Sequence, residues 1–266
     1  MRWDAQLGAP RVIGHRGVRR VTEDARAALP VENTLAAFER ALADGADGVE
    51  LDVRACATGE LVVLHDRDLS RVTDGADARP VHEVPRGALP RVGGAPLPTL
   101  EDALDLCASR GALLNVELKY DVPDRVGLVR RAAASLRASR AAREVLVSCF
   151  DPRMLLGFGA LRPSVPRAWL TSPDQRAIDL ALAALARSGP LFAVHLERRQ
   201  ASPRRVAALL ARGLRVGVWT INDEDEARAL FALGVGWVIT DAPQVVREAI
   251  AQGVSSAGAR TFPERP

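Results

Sequence analysis

The sequence predicts an α/β protein, a single closed (β/α)8 barrel with a small cap inserted after the second strand. Three observations lead there. At 266 residues the chain has the usual length of one such barrel. Short apolar runs alternate with helical stretches eight times without a break in composition, the pattern of a parallel sheet. His15, Asp52, Lys119, Asp151, Asn222 and Asp241 each stand at the C-terminal end of such a run, where barrel active sites are assembled. No G-x-G-x-x-G follows the first strand, which argues against an open dinucleotide-binding sheet.

The first strand is expected over 11–14, followed by a polar loop over 18–30. Thr34 or Asn33 caps a helix with Leu35, Phe38 and Leu42 on its apolar face, and Gly45 stops it. Strand 48–54 returns through the Ala57-Thr58-Gly59 turn into a second run, 61–65. Residues 67–98 carry Gly and Pro throughout. They read as a small cap, because Val81, Val84, Leu89 and Val92 recur in them. Thr99 then caps a helix through Ser109, and a strand follows over 113–119. The helix at 124–142 is rich in Arg and Ala, and its arginines read as a solvated face. Strand 145–150 leads to Asp151-Pro152, a cap followed by Pro at the first helical position. Strand 167–171, helix 175–187 and strand 191–196 come next, then helix 203–212 between Ser202 and Gly213. Strand 215–221 precedes a helix over 224–233, where Asp223 and Glu226 resemble a capping box. Strand 236–240 ends at Asp241, and Pro243 opens the last helix. The barrel spans about 11–251, and residues 252–266 read as a frayed tail.

Hydrophobic residues make up 48% of the chain and charged residues 26%, ordinary for a globular protein. Aromatics are only 4%, so the core must be built of Leu, Val and Ala. A net charge of +3 with no dense basic block gives no nucleic-acid footprint. Cys56, Cys107 and Cys149 are too few and too far apart for a zinc motif or a disulfide framework, and read as reduced core thiols. The start, MRWDAQLGAP, has no apolar signal region and no run is long enough to span a bilayer, so a soluble cytoplasmic protein without membrane insertion is expected.

The chemistry centres on GVELDVR, 48–54. Glu50 and Asp52 lie two apart, so in a strand they share one face, while Leu51 and Val53 take the other. Two such carboxylates repel unless a cation sits between them, and oxygen ligands suit Mg²⁺ or Ca²⁺. The return strand brings His65-Asp66 back to the same neighbourhood. Glu117 and Lys119 again share a face, and Lys119 is the only lysine among 36 basic residues. Phosphodiester hydrolysis needs positive charge at the phosphate, a base for the attacking oxygen and an acid for the leaving one. Candidates exist for each part: Glu50, Asp52 and Glu117 for a cation, Arg16 and Lys119 for the phosphate, His15 and His65 for protons. Each has a plainer alternative, since a strand-end acid often only caps the next helix. His82 and His195 are read as structural residues that satisfy hydrogen bonds.

The short motifs GHRG (14–17), ENT (32–34), ELD (50–52), LHD (64–66), PTL (98–100), ELK (117–119), SCFD (148–151), WTIN (219–222) and TDAP (240–243) together resemble the glycerophosphodiester phosphodiesterase family. They occur in that family's order over nearly the whole chain. The resemblance implies a TIM barrel that uses a divalent cation, commonly Mg²⁺ or Ca²⁺, to split glycerophosphodiesters into an alcohol and glycerol 3-phosphate. It implies His15 and His65 as acid and base, Arg16 and Lys119 on the phosphate, and Glu50, Asp52 and Glu117 as metal ligands. Glu32 would lie close to the site, Trp219 would line the glycerol side, and Phe150 would flank the same groove. Buried aromatic packing is the competing account for both rings. The family mechanism is often written with attack by the substrate's own glycerol hydroxyl, through a cyclic phosphate. The chain departs from the family in a longer loop between Gly17 and Glu32 and in a compact cap. A lysophospholipase-D-like barrel and an inactive barrel that only binds glycerophosphodiesters are the alternatives. Against the inactive barrel, neither histidine and none of the acidic ligands is missing.

Overall fold

The computed structural model describes residues 3, 10–19, 29–139, 144–172, 193–248 and 250. Among them are strands β1 (Arg11–His15), β2 (Gly48–Ala55), β3 (Leu61–Val63), β4 (Arg91–Val92), β5 (Ala95–Pro96), β6 (Leu113–Leu118), β7 (Val145–Cys149), β8 (Arg167–Leu170), β9 (Ala193–Glu197), β10 (Arg215–Trp219) and β11 (Trp237–Thr240). Eight of these, β1, β2 and β6 to β11, pair in parallel from neighbour to neighbour. The ring closes at β1, where Ile13 is opposite Gly48 of β2 on one side and Ile239 of β11 on the other. The antiparallel β3 is appended to β2, with Val53 opposite Val63. The predicted closed barrel is therefore present.

The alternation of side chains along each strand divides the core in two. Outward-facing Leu51, Val53, Val116, Val147, Val194, Val216 and Val238 pack under the helices with Phe38, Leu104, Leu128, Leu155 and Phe158. Inside the barrel a smaller cluster contains Trp3, Ile13, Leu113, Leu146, Trp237 and Ile239, and Trp3 meets Trp237 edge-on at 5.1 Å. The cap has its own apolar centre, in which Leu69, Val81, Val84, Val92 and Leu97 cover Cys56, Val62 and Leu64. All three cysteines are buried and free. No helix among the described residues is long and apolar enough to cross a membrane.

The helices start where polar caps were expected, with differences of detail. Thr34 caps helix Leu35–Ala43, whose expected apolar face packs on the core with Phe38 buried and Leu35 and Leu42 partly buried, and Ala37 and Ala41 are buried as well. Ala37 and Ala41 lie where Gly17 and Gly14 bring the first strand and its turn into contact with the helix. Asp223 accepts from Glu226 N at 2.8 Å, whereas the Glu226 carboxylate pairs with Arg198 at 3.2 Å, so the predicted box is half made. The full reciprocal box lies at Thr99 and Asp102 instead. Several strands end one or two residues earlier than expected, which leaves His65, Lys119 and Phe150 just beyond strand ends. The expected helix at 175–187 and the tail at 252–266 lie outside the described residues, as do most of the loop at 18–30 and the ends of two neighbouring elements.

Candidate active site

The mouth of the barrel is shaped first by the GHRG turn at the end of β1. Gly14 has no room for a side chain: a Cβ there would stand 2.5 Å from Gly17 O and 2.8 Å from Ala41 Cβ. Arg16 and Gly17 both take positive φ, 54° and 90°, which reverses the chain and turns the Arg16 amide toward Glu50. Arg16 N donates to Glu50 Oε2 at 3.0 Å, and Arg16 Nη1 donates to Glu32 Oε1 at 2.9 Å. Arg16 Nε lies 3.2 Å from Asp52 Oδ2. Glu32 also meets Arg19 at 2.8 Å and Arg71 of the cap at 2.7 Å, so despite the long loop before it this glutamate sits at the site.

Glu50 and Asp52 do share one face of β2, and Glu117 joins them from β6, where it is register partner to Asp52. All three are buried, and one carboxylate oxygen from each lies within 4.8 Å of the others. Lys119 Nζ donates to Glu117 Oε1 at 2.8 Å and to Asp52 Oδ1 at 3.2 Å. Burial, then repulsion from Asp52 and Glu117, pushes the Glu50 carboxyl well above its ordinary range. Glu117 is also pushed up by burial, in spite of Lys119. Burial opposes the charge on Asp52 too, but Lys119 and Arg16 overcome it and hold Asp52 below the usual carboxylate range. Three buried carboxylates whose oxygens converge, two of them pushed up by burial and mutual repulsion, fit a hard divalent cation.

Two imidazoles complete the rim, each backed by an aspartate. His15 Nδ1 is 2.7 Å from Asp241 Oδ1, and His65 Nδ1 is 2.7 Å from Asp66 Oδ1. An ionised carboxylate can only accept, so Nδ1 donates in both rings and Nε2 is left as the atom that can exchange a proton. Asp241 is held in turn by Asn222, whose Nδ2 donates to Oδ2 at 3.0 Å. Burial raises the Asp241 carboxyl, but the hydrogen bond and charge of His15 prevail and bring it down to about 2. Burial lowers His65 below the ordinary imidazole value, aided by Lys119 and Arg16 and opposed by Asp52.

His15, Arg16, Glu50, His65, Glu117 and Lys119 all line one cavity of about 100 Å³. Phe150 and Trp219 form its aromatic wall, in edge contact at 5.6 Å, and exposed Tyr120 extends the row at 5.8 Å from Phe150. Asp52 lies behind this surface and Glu32 behind Arg16. A cleft of about 640 Å³ between Arg11, Glu39, Asp47 and Arg110 is larger, but it opens at the opposite end of the barrel, away from these groups.

Some polar residues of the mouth escaped sequence reasoning. Asn33, read only as a possible cap, donates from Nδ2 to Asp52 Oδ2 at 2.9 Å, and its φ of 58° turns it there. Asn115 lines the cavity with both amide atoms buried and unpartnered, and the Trp219 indole nitrogen is likewise unpartnered. Asn222 and Asp241 were expected at strand ends and Asp66 beside His65, but that they hold the two imidazoles was not legible in the sequence. Asp151, by contrast, is a helix cap that also pairs with Arg125 and Arg153, and does not line the cavity. His195 is fully buried and accepts from Trp237 Nε1 at 3.1 Å, but its Nδ1 is buried without a hydrogen-bond partner, so the expected satisfied histidine is only half satisfied.

A (β/α)8 barrel with carboxylates, cations and paired imidazoles at its C-terminal mouth is the layout of a hydrolase for phosphate esters. The chain belongs to the glycerophosphoryl diester phosphodiesterase family, whose model matches residues 15–245, and is an enzyme of the phosphoric diester hydrolase class. Over 221 residues it is 30% identical to a glycerophosphodiester phosphodiesterase of Bacillus altitudinis, covering 80% of this chain and 89% of that one. A phosphodiesterase of Oleispira antarctica, solved with its product sn-glycerol-3-phosphate, superposes with a TM-score of 0.79. It is 28% identical, over 91% of this chain and 97% of that one. A putative glycerophosphoryl diester phosphodiesterase of Silicibacter pomeroyi is 26% identical, also with a TM-score of 0.79, over 93% and 95% of the two chains.

Proposed function

We propose that this enzyme hydrolyses glycerophosphodiesters to an alcohol and sn-glycerol 3-phosphate, with Mg²⁺ or Ca²⁺ held by Glu50, Asp52 and Glu117. The observation that carries this reading is the presence of two aspartate-backed imidazoles on the same small cavity as the carboxylates, Arg16 and Lys119. Bound there, the cation would supply positive charge to phosphate oxygens as negative charge builds on them.

Arg16 and Lys119 would hold the phosphate from the protein side, with Glu32 keeping the Arg16 guanidinium in place. His65, whose affinity for a proton is lowered by burial, is suited to take at Nε2 the proton of the attacking oxygen, either the glycerol hydroxyl or the water that then opens the cyclic phosphate to glycerol 3-phosphate. His15, oriented by Asp241 across the barrel seam, would give a proton to the leaving oxygen. Trp219 and Phe150 supply an apolar wall for the glycerol carbons. The reading takes the 266 residues as one barrel domain with its cap at 67–98, acting in the cytoplasm on a small-molecule substrate.

The test is release of glycerol 3-phosphate from glycerophosphocholine and glycerophosphoethanolamine, with EDTA, Mg²⁺, Ca²⁺ or Mn²⁺. His15→Ala and His65→Ala serve as parallel samples. Release that needs a cation and falls by about 10² to 10⁴ in each variant is expected. No release with any cation from folded protein would sink the reading. Turnover of lysophospholipids alone would move the substrate class.

A further inference from the structure

We propose that Arg54 is a positioning residue for His65, acting on its backbone rather than its ring. Arg54 lies on β2 two residues beyond Asp52, and its side chain is buried. Its Nε and Nη2 both donate to the carbonyl oxygen of His65, at 3.0 and 2.8 Å. Nη2 also reaches both carboxylate oxygens of Asp121, at 2.8 and 3.0 Å. A guanidinium taken out of water needs its charge answered and its donors occupied. Asp121 does the first, and the His65 carbonyl shares in the second.

The two histidines are anchored differently. The His15–Asp241 bond joins residues 226 apart and fixes the His15 ring to the barrel by itself. The partner of His65 is Asp66, its neighbour in the chain, so that bond orients the ring only relative to its own backbone. His65 lies beyond the end of the three-residue β3, where the chain leaves the sheet for the cap. Arg71 holds Asp66, but Arg71 belongs to the cap as well. The last backbone bond to the strand that carries Glu50 and Asp52 is made one residue earlier, by Leu64 N to Asp52 O at 3.0 Å, and Arg54 adds the tie at His65 itself. It thereby fixes the distance between the imidazole and the carboxylates, and a misplacement near 1 Å can cost about 10²-fold in rate.

The inference rests on the acid/base role proposed for His65, so His65→Ala is assayed beside the Arg54 variants. A cleft of about 330 Å³, lined by Arg54, Arg67, His82 and Asp121, opens beside the guanidinium and offers a route for a small replacement. In Arg54→Ala, kcat on glycerophosphocholine is expected to fall roughly 10- to 100-fold with KM within about 3-fold. Guanidinium at low millimolar concentration should restore several-fold of that loss, and should restore nothing in His65→Ala. Arg54→Lys, with one point charge in place of a fork, should recover only part of the activity. A folded Arg54→Ala with normal kcat, or with its loss confined to KM, would overturn the inference while an inactive His65→Ala left the functional reading intact. An active His65→Ala would instead overturn the role of the histidine. If Arg54→Ala does not fold, Asp121→Asn takes its place, with a several-fold fall in kcat at constant KM expected and unchanged kcat counting against the proposal.

Discussion

The imidazole of His15 and the carboxylate of Asp241 stand 2.7 Å apart across the seam where β1 pairs with β11. The bond exists only because the barrel closes, and Asn222 completes it by holding the second carboxylate oxygen. It sets the His15 tautomer and ring orientation.

Asp241→Asn is therefore expected to lower kcat by about 10²-fold or more, since an amide can present its NH₂ to Nδ1 and force the wrong tautomer. Steady-state kinetics on the folded variant would show it. A kcat within 2-fold of the parent would mean the pair is merely structural.

Glu50→Gln is expected to stabilise the cation-free protein. A carboxyl whose folded pKa is raised above 4.5 makes the folded state less stable as pH rises from about 4.5 through that higher value. In EDTA at about pH 8 the variant should melt higher by a few degrees, because an amide relieves the crowding of charge and can still accept from Arg16 N. With Mg²⁺ or Ca²⁺ the order should reverse, since one ligand is gone. A variant that melts lower in EDTA would contradict the account.

His195 makes an opposite pH prediction. Burial depresses its pKa from 6.5 to about 3, so the unfolded chain takes up a proton that the folded barrel excludes. Its contribution is complete above pH 6.5 and is lost as pH falls from there toward 3, at about 1.4 kcal/mol per unit. His65, also depressed, acts in the same direction. His195→Gln keeps an acceptor for Trp237 Nε1 and should flatten the fall in stability between about pH 6.5 and 5, by about 2 kcal/mol in urea titrations. Equal pH slopes for the two proteins would refute it.

Lys119→Ala would leave Asp52 and Glu117 buried without their shared ammonium. A loss on the order of 3–5 kcal/mol is expected, partly recovered by a divalent cation, together with weaker turnover. Denaturant titration with and without the cation separates the two effects, and undiminished stability in EDTA would show that Lys119 carries no such load.

What could be read from the sequence was what the backbone repeats enforce locally. The pleat puts Glu50 and Asp52, or Glu117 and Lys119, on a common face whatever else the chain does, and apolar alternation counted the eight barrel strands. Capping chemistry placed helix starts to within a residue or two. The capping box was misplaced because two acids near Asp223 compete for different partners, and Arg198 claimed one of them. The helix face of Leu35, Phe38 and Leu42 does pack on the core, but the burial of Ala37 and Ala41 beside it was not legible, because apolar size does not show how closely Gly14 and Gly17 let the chain approach.

The sequence alone thus determined the barrel and which end of it carries the charged groups, since both follow from periods of two and three to four residues. Tertiary structure decided the pairings: His15 with Asp241, Asn33 with Asp52, Glu32 among Arg16, Arg19 and Arg71, and Arg54 with the His65 carbonyl. Those contacts depend on how the strands are staggered when the sheet closes and on where the cap settles. A linear pattern carries no term for either, because hydrogen bonds and ion pairs reach only about 3 Å and are set by through-space register.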